Sequence, residues 1–261
     1  MSDEPIIIET DARGVARLTL NRPERRNCLS PEMMDALAAS AHRLGADAGV
    51  RVVVLTGAGD TFCAGGDLKW MLAAMKSDAA TRRREARRLA EMLQALNTMP
   101  KPLIGRIQGQ AFGGGLGLMS VCDVAIGAKE ARFGLTETKL GVIPATIAPY
   151  VVARMGEGKA RRVFMSSRLF GADEAVALDL LARAVASESL DAAVEAEVVP
   201  YLACAPGAVA DAKALARRLG PPIDDCVIDA TVDALVKRWE SDEIAEGIAA
   251  FFEKRRAAWV I

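Results

Sequence analysis

Three observations predict an α/β fold. Apolar strand-like runs recur at Val50-Arg51-Val52-Val53-Val54-Leu55-Thr56, Leu103-Ile104-Gly105-Arg106-Ile107 and Val124-Ala125-Ile126. The last two are separated by an apolar helix that opens on Gly113-Gly114-Gly115, which makes a β-α-β unit. From Ala172 to the end the pattern turns helical, punctuated at Pro206, Gly220-Pro221-Pro222 and Ser241, so the C-terminal third is α-rich.

The chain starts with a predicted β-hairpin, in which Ile6-Ile7-Ile8-Glu9 and Val15-Ala16-Arg17-Leu18-Thr19-Leu20 flank the turn signal Asp11-Ala12-Arg13-Gly14. A helix follows from Ser30-Pro31 to about Gly45. Ser30 can cap it, Pro31 suits its first position, and Met33, Met34, Leu37 and Leu44 supply the apolar stripe. The Val50 to Thr56 strand runs into a first glycine cluster, Gly57-Ala58-Gly59-Asp60-Thr61-Phe62-Cys63-Ala64-Gly65-Gly66-Asp67. Helices are expected from about Thr146 to Ser167 and again beyond Ala172. No tandem repeat or low-complexity linker interrupts the chain.

With 261 residues and 51% hydrophobic content, the chain can bury one substantial core and a smaller appendage. We expect a core over 1–200 and a helical subdomain over 201–261. The 33 Lys plus Arg balance 34 Asp plus Glu, which leaves no global field to draw in nucleic acid. The opening Met1-Ser2-Asp3-Glu4-Pro5 is acidic and polar, and no apolar run reaches the roughly 18 residues that span a bilayer, so a cytoplasmic protein without membrane contact is expected. Five scattered cysteines and a single histidine, His42, argue against structural zinc, disulfides and a Ser-His-Asp or Cys-His nucleophile. Cys63 is expected to be a small buried hydrophobe rather than a nucleophile.

The triple glycine leaves the first N–H groups of its helix sterically bare, and such donors, reinforced by the helix dipole, suit a carbonyl oxygen that gains negative charge during a reaction. Close packing against a strand would also call for these glycines. Nucleotide signatures fail at both clusters: neither continues into the Gly-Lys-Ser/Thr of a P-loop, and Gly57-x-Gly59 lacks the third glycine of a dinucleotide fingerprint. Arg82-Arg83-Arg84-Glu85-Ala86-Arg87-Arg88 is the one strongly basic run. With Glu85 and Glu91 interleaved it is expected to be a solvated helix face, with RNA binding or a nearby anionic ligand as alternatives.

Several motifs, in order, resemble the enoyl-CoA hydratase/isomerase (crotonase) family: Leu20-Asn21-Arg22-Pro23, Phe62 to Leu68, the triple-glycine helix, Cys122-Asp123, Phe133-Gly134-Leu135-Thr136-Glu137 through Pro144, and the ending Gly247 to Arg255. The resemblance implies a crotonase-like spiral of β-β-α turns with a C-terminal helical trimerisation region, assembled as a homotrimer or dimer of trimers. It implies an acyl-CoA thioester substrate and no cofactor or metal. By matching, the N–H groups of Ala64 and Gly114 would donate to the thioester oxygen, and Glu137 would be the acid/base. Arg25, Arg26, Gly66, Asp67, Leu68 and Gly117 would line the substrate. Phe251 and Lys254 would reach the nucleotide from a neighbouring subunit.

The family's hydratases commonly carry two glutamates facing the double bond. Glu137 matches the second, but the first falls at position 117, where this chain has glycine. Glycine within a helix costs about 1 kcal/mol relative to alanine, so Gly117 either makes room for a bulky acyl group or permits tight packing. A single carboxylate suits hydration, with the same group placing water and returning a proton, and equally suits Δ3,Δ2 double-bond isomerisation. The wording from Glu137 to Ile147 together with Gly117 is similar to bacterial hydratases of 3-methylglutaconyl-CoA and longer isoprenoid relatives, in leucine and acyclic-terpene breakdown. A β-branched substrate is therefore expected.

Overall fold

The computed structural model describes residues 4–261, so the first three residues of the acidic opening segment lie outside it. The expected hairpin forms from β1 (Ile6–Thr10) and β2 (Val15–Leu20), with Gly14 at φ +82° closing the turn onto the carbonyl of Asp11 at 3.0 Å. α1 (Pro31–Ala46) starts as predicted, with Ser30 Oγ accepting the Met33 N–H at 3.3 Å. β3 (Val52–Gly57), α2 (Leu68–Met75) and α3 (Ala79–Thr98) follow.

The central unit reads β4 (Leu103–Ile107), β5 (Gln110–Phe112), α4 (Gly114–Val121), β6 (Val124–Ala128) and β7 (Arg132–Gly134). A 3-10 turn over Glu137–Leu140 leads to α5 (Ala148–Met155) and α6 (Glu157–Phe164), which divide the stretch expected to be helical at Gly156 (φ +73°). Then come β8 (Phe170–Gly171), α7 (Ala172–Ala177), β9 (Arg183–Val185), α8 (Leu190–Leu202), α9 (Pro206–Leu219), α10 (Asp225–Trp239) and α11 (Asp242–Glu253).

The strands form two sheets, ordered β1-β2-β3-β4-β6-β9 and β5-β7-β8, parallel except for β1 with β2 and β7 with β8. After β4 the chain passes to β5 in the second sheet, runs through α4, and returns to β6 in the first before β7 rejoins the second. The turns that begin at β4 and β6 each place one strand in each sheet, with α4 following the first, which is the β-β-α arrangement expected. Parallel strands in such a layer are covered on both faces, and β3 is buried at all six positions. α8 packs Leu190, Val194 and Val198 on one face, while the main core lies on the other.

The expected division at 200/201 falls inside α8. Beyond it, α10 and α11 bring Ile228, Val232, Leu235, Trp239, Ile244 and Ile248 into one apolar cluster with Ala74, Ala86, Ala90, Val142 and Ala145 of the body. α9 differs, since none of its residues is buried. Among the described residues, no single helix is long and apolar enough to cross a membrane.

The basic run lies on α3 against α10. Arg83 pairs with Asp229 at 3.1 Å and with Asp233, Arg87 with Asp225 at 3.2 Å and with Asp229, and Arg82 with Glu240 at 3.0 Å. Arg88 is held by Asp35 and Glu85. Exposed ion pairs of this kind contribute little singly, about 0 to 1 kcal/mol each, but they commit the cations that an RNA backbone would need. Four of the run's five arginines are paired in this way, and Arg84 stands exposed with Glu85 at 3.7 Å.

Candidate active site

Two isolated bridges pin the first glycine cluster, one to β5 and one to the residue ahead of the α1 cap. Cys63 pairs with Ala111, its N–H donating to the Gln110 carbonyl at 3.0 Å, and Leu29 pairs with Gly66, with the Leu29 N–H donating to Gly65 at 2.8 Å. Between these bridges the N–H of Ala64 turns to the Arg26 carbonyl at 2.9 Å. It is therefore spent, which corrects the expectation that Ala64 is a donor to substrate. The N–H groups of Gly66 and Gly114 have no protein acceptor among the described residues, and they are neighbours: a β-carbon on Gly114 would stand 3.7 Å from the Gly66 nitrogen. Gly65, at φ +97°, permits this approach, since a β-carbon there would lie 2.8 Å from the Phe112 carbonyl oxygen.

Glu137 opens the 3-10 turn just after β7, and the Gly113 N–H ties the two strands together by donating to Gly134 at 3.0 Å. Gly113 adopts φ +49°, and a β-carbon on it would meet Glu137 Oε1 at 2.9 Å, so glycine is required by both the backbone and the carboxylate. Glu137 Oε2 is sealed from solvent and has no hydrogen-bond partner. Burial pushes the carboxyl up to about 7, against a slight lowering from its own backbone N–H. Cys63, fully buried beneath Gly115, has its thiol pushed up to about 12 by the same desolvation and stays a protonated packing residue.

A cavity of about 460 Å³ joins these groups. Its lining includes Ala64, Gly66, Leu68, Gly114 and Glu137 of the predicted site, with Arg26, Lys139, Leu169 and Phe251 on its exposed side. The buried side is formed by Leu89, Val142, Ala145, Ile147, Leu235 and Trp239, each less than 9% exposed, and its polar groups are the Thr146 hydroxyl and the Trp239 indole N–H, which is sealed from solvent without a partner. Trp70 stands edge-to-face on Trp239 with ring centroids 6.1 Å apart, and its indole N–H donates to Glu85 at 2.9 Å. Glu137 is the only carboxylate in the lining.

Three expected substrate contacts, Arg25, Asp67 and Gly117, fall outside the lining. Asp67 caps α2, accepting the Lys69 N–H at 2.8 Å, and lies 3.7 Å from Arg25, so this pair secures the helix start instead of lining the cavity. Lys254, expected to reach the nucleotide of a neighbouring subunit, follows α11 in a left-handed conformation, φ +54°, and does not line the cavity of its own chain. Phe251 of the same chain lines the cavity on its exposed side. Gly117 is also outside the lining. A β-carbon there would meet Ile147 Cγ2 at 2.6 Å and Ile147 Cβ at 3.1 Å, so the space it releases is filled by Ile147 and is not open to a ligand.

Sequence reasoning missed Trp70, Lys139, Thr146, Leu235 and Trp239. The apolar stripe Ile228, Val232, Leu235, Trp239 was a usable signal that α10 packs on something. Nothing local says that the something is a cavity wall.

A sequence model of the enoyl-CoA hydratase/isomerase family matches residues 10–260. A Thermus thermophilus protein with the provisional name enoyl-CoA hydratase is 37% identical over 253 residues, covering 95% of this chain and 98% of its own. A crotonyl-CoA hydratase of Syntrophomonas wolfei is 30% identical, covering 100% of this chain and 99% of its own. Among solved structures, an enoyl-CoA hydratase from Mycobacterium avium superposes with a TM-score of 0.86 at 31% identity, covering 99% of this chain and 100% of that one.

Proposed function

The chain belongs to the enoyl-CoA hydratase/isomerase family, and we propose that it adds water across the 2,3 double bond of an acyl-CoA thioester whose acyl group is uncharged. The observation that carries this reading is the pairing of one desolvated carboxylate with two adjacent free N–H groups on a single cavity. The thioester oxygen accepts from Gly66 and Gly114. Glu137, ionised, takes a proton from water as the water oxygen bonds to the β-carbon, and the double-bond electrons move toward the thioester to give an enolate held by the two donors. Glu137 then returns the proton to the α-carbon, and atoms and charge balance without a further reactant. Each donor of this kind contributes about 3 to 4 kcal/mol at the transition state. Arg26 and Lys139, on the exposed side of the cavity, suit the phosphates of CoA.

The expected 3-methylglutaconyl substrate loses its support on two counts. Ile147 takes the room ascribed to Gly117, and the buried side of the cavity offers no cation to the second carboxylate of that acyl group. Burying an unpaired carboxylate costs several kcal/mol. In a stopped assay with product identification, crotonyl-CoA should give the 3-hydroxyacyl thioester with a kcat/KM at least about tenfold above that of 3-methylglutaconyl-CoA. Because the base must be ionised, kcat/KM should rise with pH through a midpoint of about 7. The lone carboxylate also favours an isomerase as second reading. Conversion of a 3-enoyl-CoA with no hydration of any 2-enoyl-CoA would replace the hydratase by it.

Assembly as a trimer or dimer of trimers is part of this proposal. It is supported by α9, which buries nothing within the chain and leaves Leu215 and Leu219 exposed. Sedimentation velocity should show a species of three or six chains at micromolar concentration, and a monomer there would refute it.

A further inference from the structure

Addition of water demands more of the site than proton transfer between carbons does. A water held by one carboxylate still turns about that hydrogen bond, so a second polar group is needed to aim its lone pair at the β-carbon. Helix α4 provides none at position 117, since Gly117 has no side chain and Ile147 fills the gap. The residue beside Ile147 is Thr146, which is 3% exposed and lines the cavity. Its hydroxyl makes no hydrogen bond to any described residue, and it is not among the buried polar atoms cut off from solvent, as Glu137 Oε2 is. What is open to it is the cavity.

The backbone explains why this hydroxyl is uncommitted. Thr146 stands just ahead of α5, where a threonine commonly caps the helix, but α5 has no side-chain cap. The loop that carries it is tied to the acid itself, with the Val142 N–H donating to the Glu137 carbonyl at 3.1 Å, and is tightened by Ala145 N–H to Ile143 at 2.8 Å and Ala148 N–H to Ala145 at 3.0 Å. The hydroxyl is thus free to hold a molecule inside the cavity that Glu137 also lines.

We propose that the Thr146 hydroxyl is the second group that holds the attacking water, taking the place of a carboxylate that position 117 does not supply. The assignment rests on the hydration reading above. Thr146→Val keeps the shape and removes the hydroxyl, whereas Thr146→Ser keeps the hydroxyl and removes the methyl. With crotonyl-CoA, Thr146→Val should lower kcat roughly 10- to 100-fold, as for loss of one hydrogen bond to a group that gains charge, with KM nearly unchanged. Thr146→Ser should keep most of the rate. A packing role predicts the reverse pattern, with the valine variant active and the serine variant impaired. That pattern, or equal behaviour of the two variants, would overturn the assignment while leaving the hydratase reading intact. Failure of the unmodified enzyme to hydrate crotonyl-CoA would overturn both.

Discussion

Glu137→Gln should lose at least about 100-fold in kcat for crotonyl-CoA hydration with little change in thioester affinity, because it keeps the shape of the side chain and removes the only base in the cavity. The same substitution should make the protein more stable at alkaline pH. The carboxyl is held at about 7 in the folded protein, above its ordinary value of 4.5, because burial disfavours its charge. Between those two values the folded state binds more protons than the unfolded state, so stability is full below pH 4.5 and falls as pH rises to 7. The loss, about 3 kcal/mol, is the cost of holding an ionised base ready in a dry cavity. Glutamine does not incur it, so Glu137→Gln should unfold at higher temperature than the unmodified protein at pH 8 and at nearly the same temperature at pH 4. Near-full turnover by the variant would remove Glu137 from the chemistry, and equal melting at pH 8 would mean that the carboxylate is better solvated than its sealed Oε2 indicates.

The residues legible in advance are those whose local sequence dictates their geometry. The Ser30-Pro31 start of α1, the Asp11 to Gly14 turn and the parallel pair β4 and β6 around the triple-glycine helix all follow from capping, turn chemistry and apolar runs within a few residues. β5 and β7 escaped notice because three residues are too few to show a period of two, although they build the second sheet and set Gly113 beside Glu137. Gly66 and Ala64 lie two positions apart in the same motif. Only the tertiary contact of Ala64 with the Arg26 carbonyl decides which N–H is left for a ligand. Gly117 carries a related lesson: an absent side chain marks a space but not its occupant, and here the occupant is Ile147. The basic run was ambiguous for the same reason, since the acids that neutralise it are on α10, far along the chain.

The second large effect is expected at Gly114. Its N–H and that of Gly66 are the two donors available to a developing oxyanion, and both are backbone groups that no side-chain deletion can remove. They can be obstructed. A methyl group at position 114 would sit 3.7 Å from the Gly66 nitrogen, against the space an oxygen must enter to accept from both donors. It would also press on Leu29 Cδ1 at 2.7 Å, the far end of a flexible side chain that can yield. Gly114→Ala should therefore fold, with a stability loss of about 1 to 3 kcal/mol from overpacking. Its kcat/KM should fall about 100- to 1,000-fold, comparable to loss of an oxyanion-hole donor. Gly115 could not serve for this test, because a β-carbon there would meet the Cys63 carbonyl oxygen at 2.4 Å and force the backbone apart. Affinity for free CoA, which has no thioester oxygen, should be unaffected by Gly114→Ala. A variant that hydrates crotonyl-CoA at the unmodified rate would show that the oxygen is held elsewhere, and a parallel loss of free-CoA binding would place the damage in the nucleotide contacts instead of the oxyanion hole.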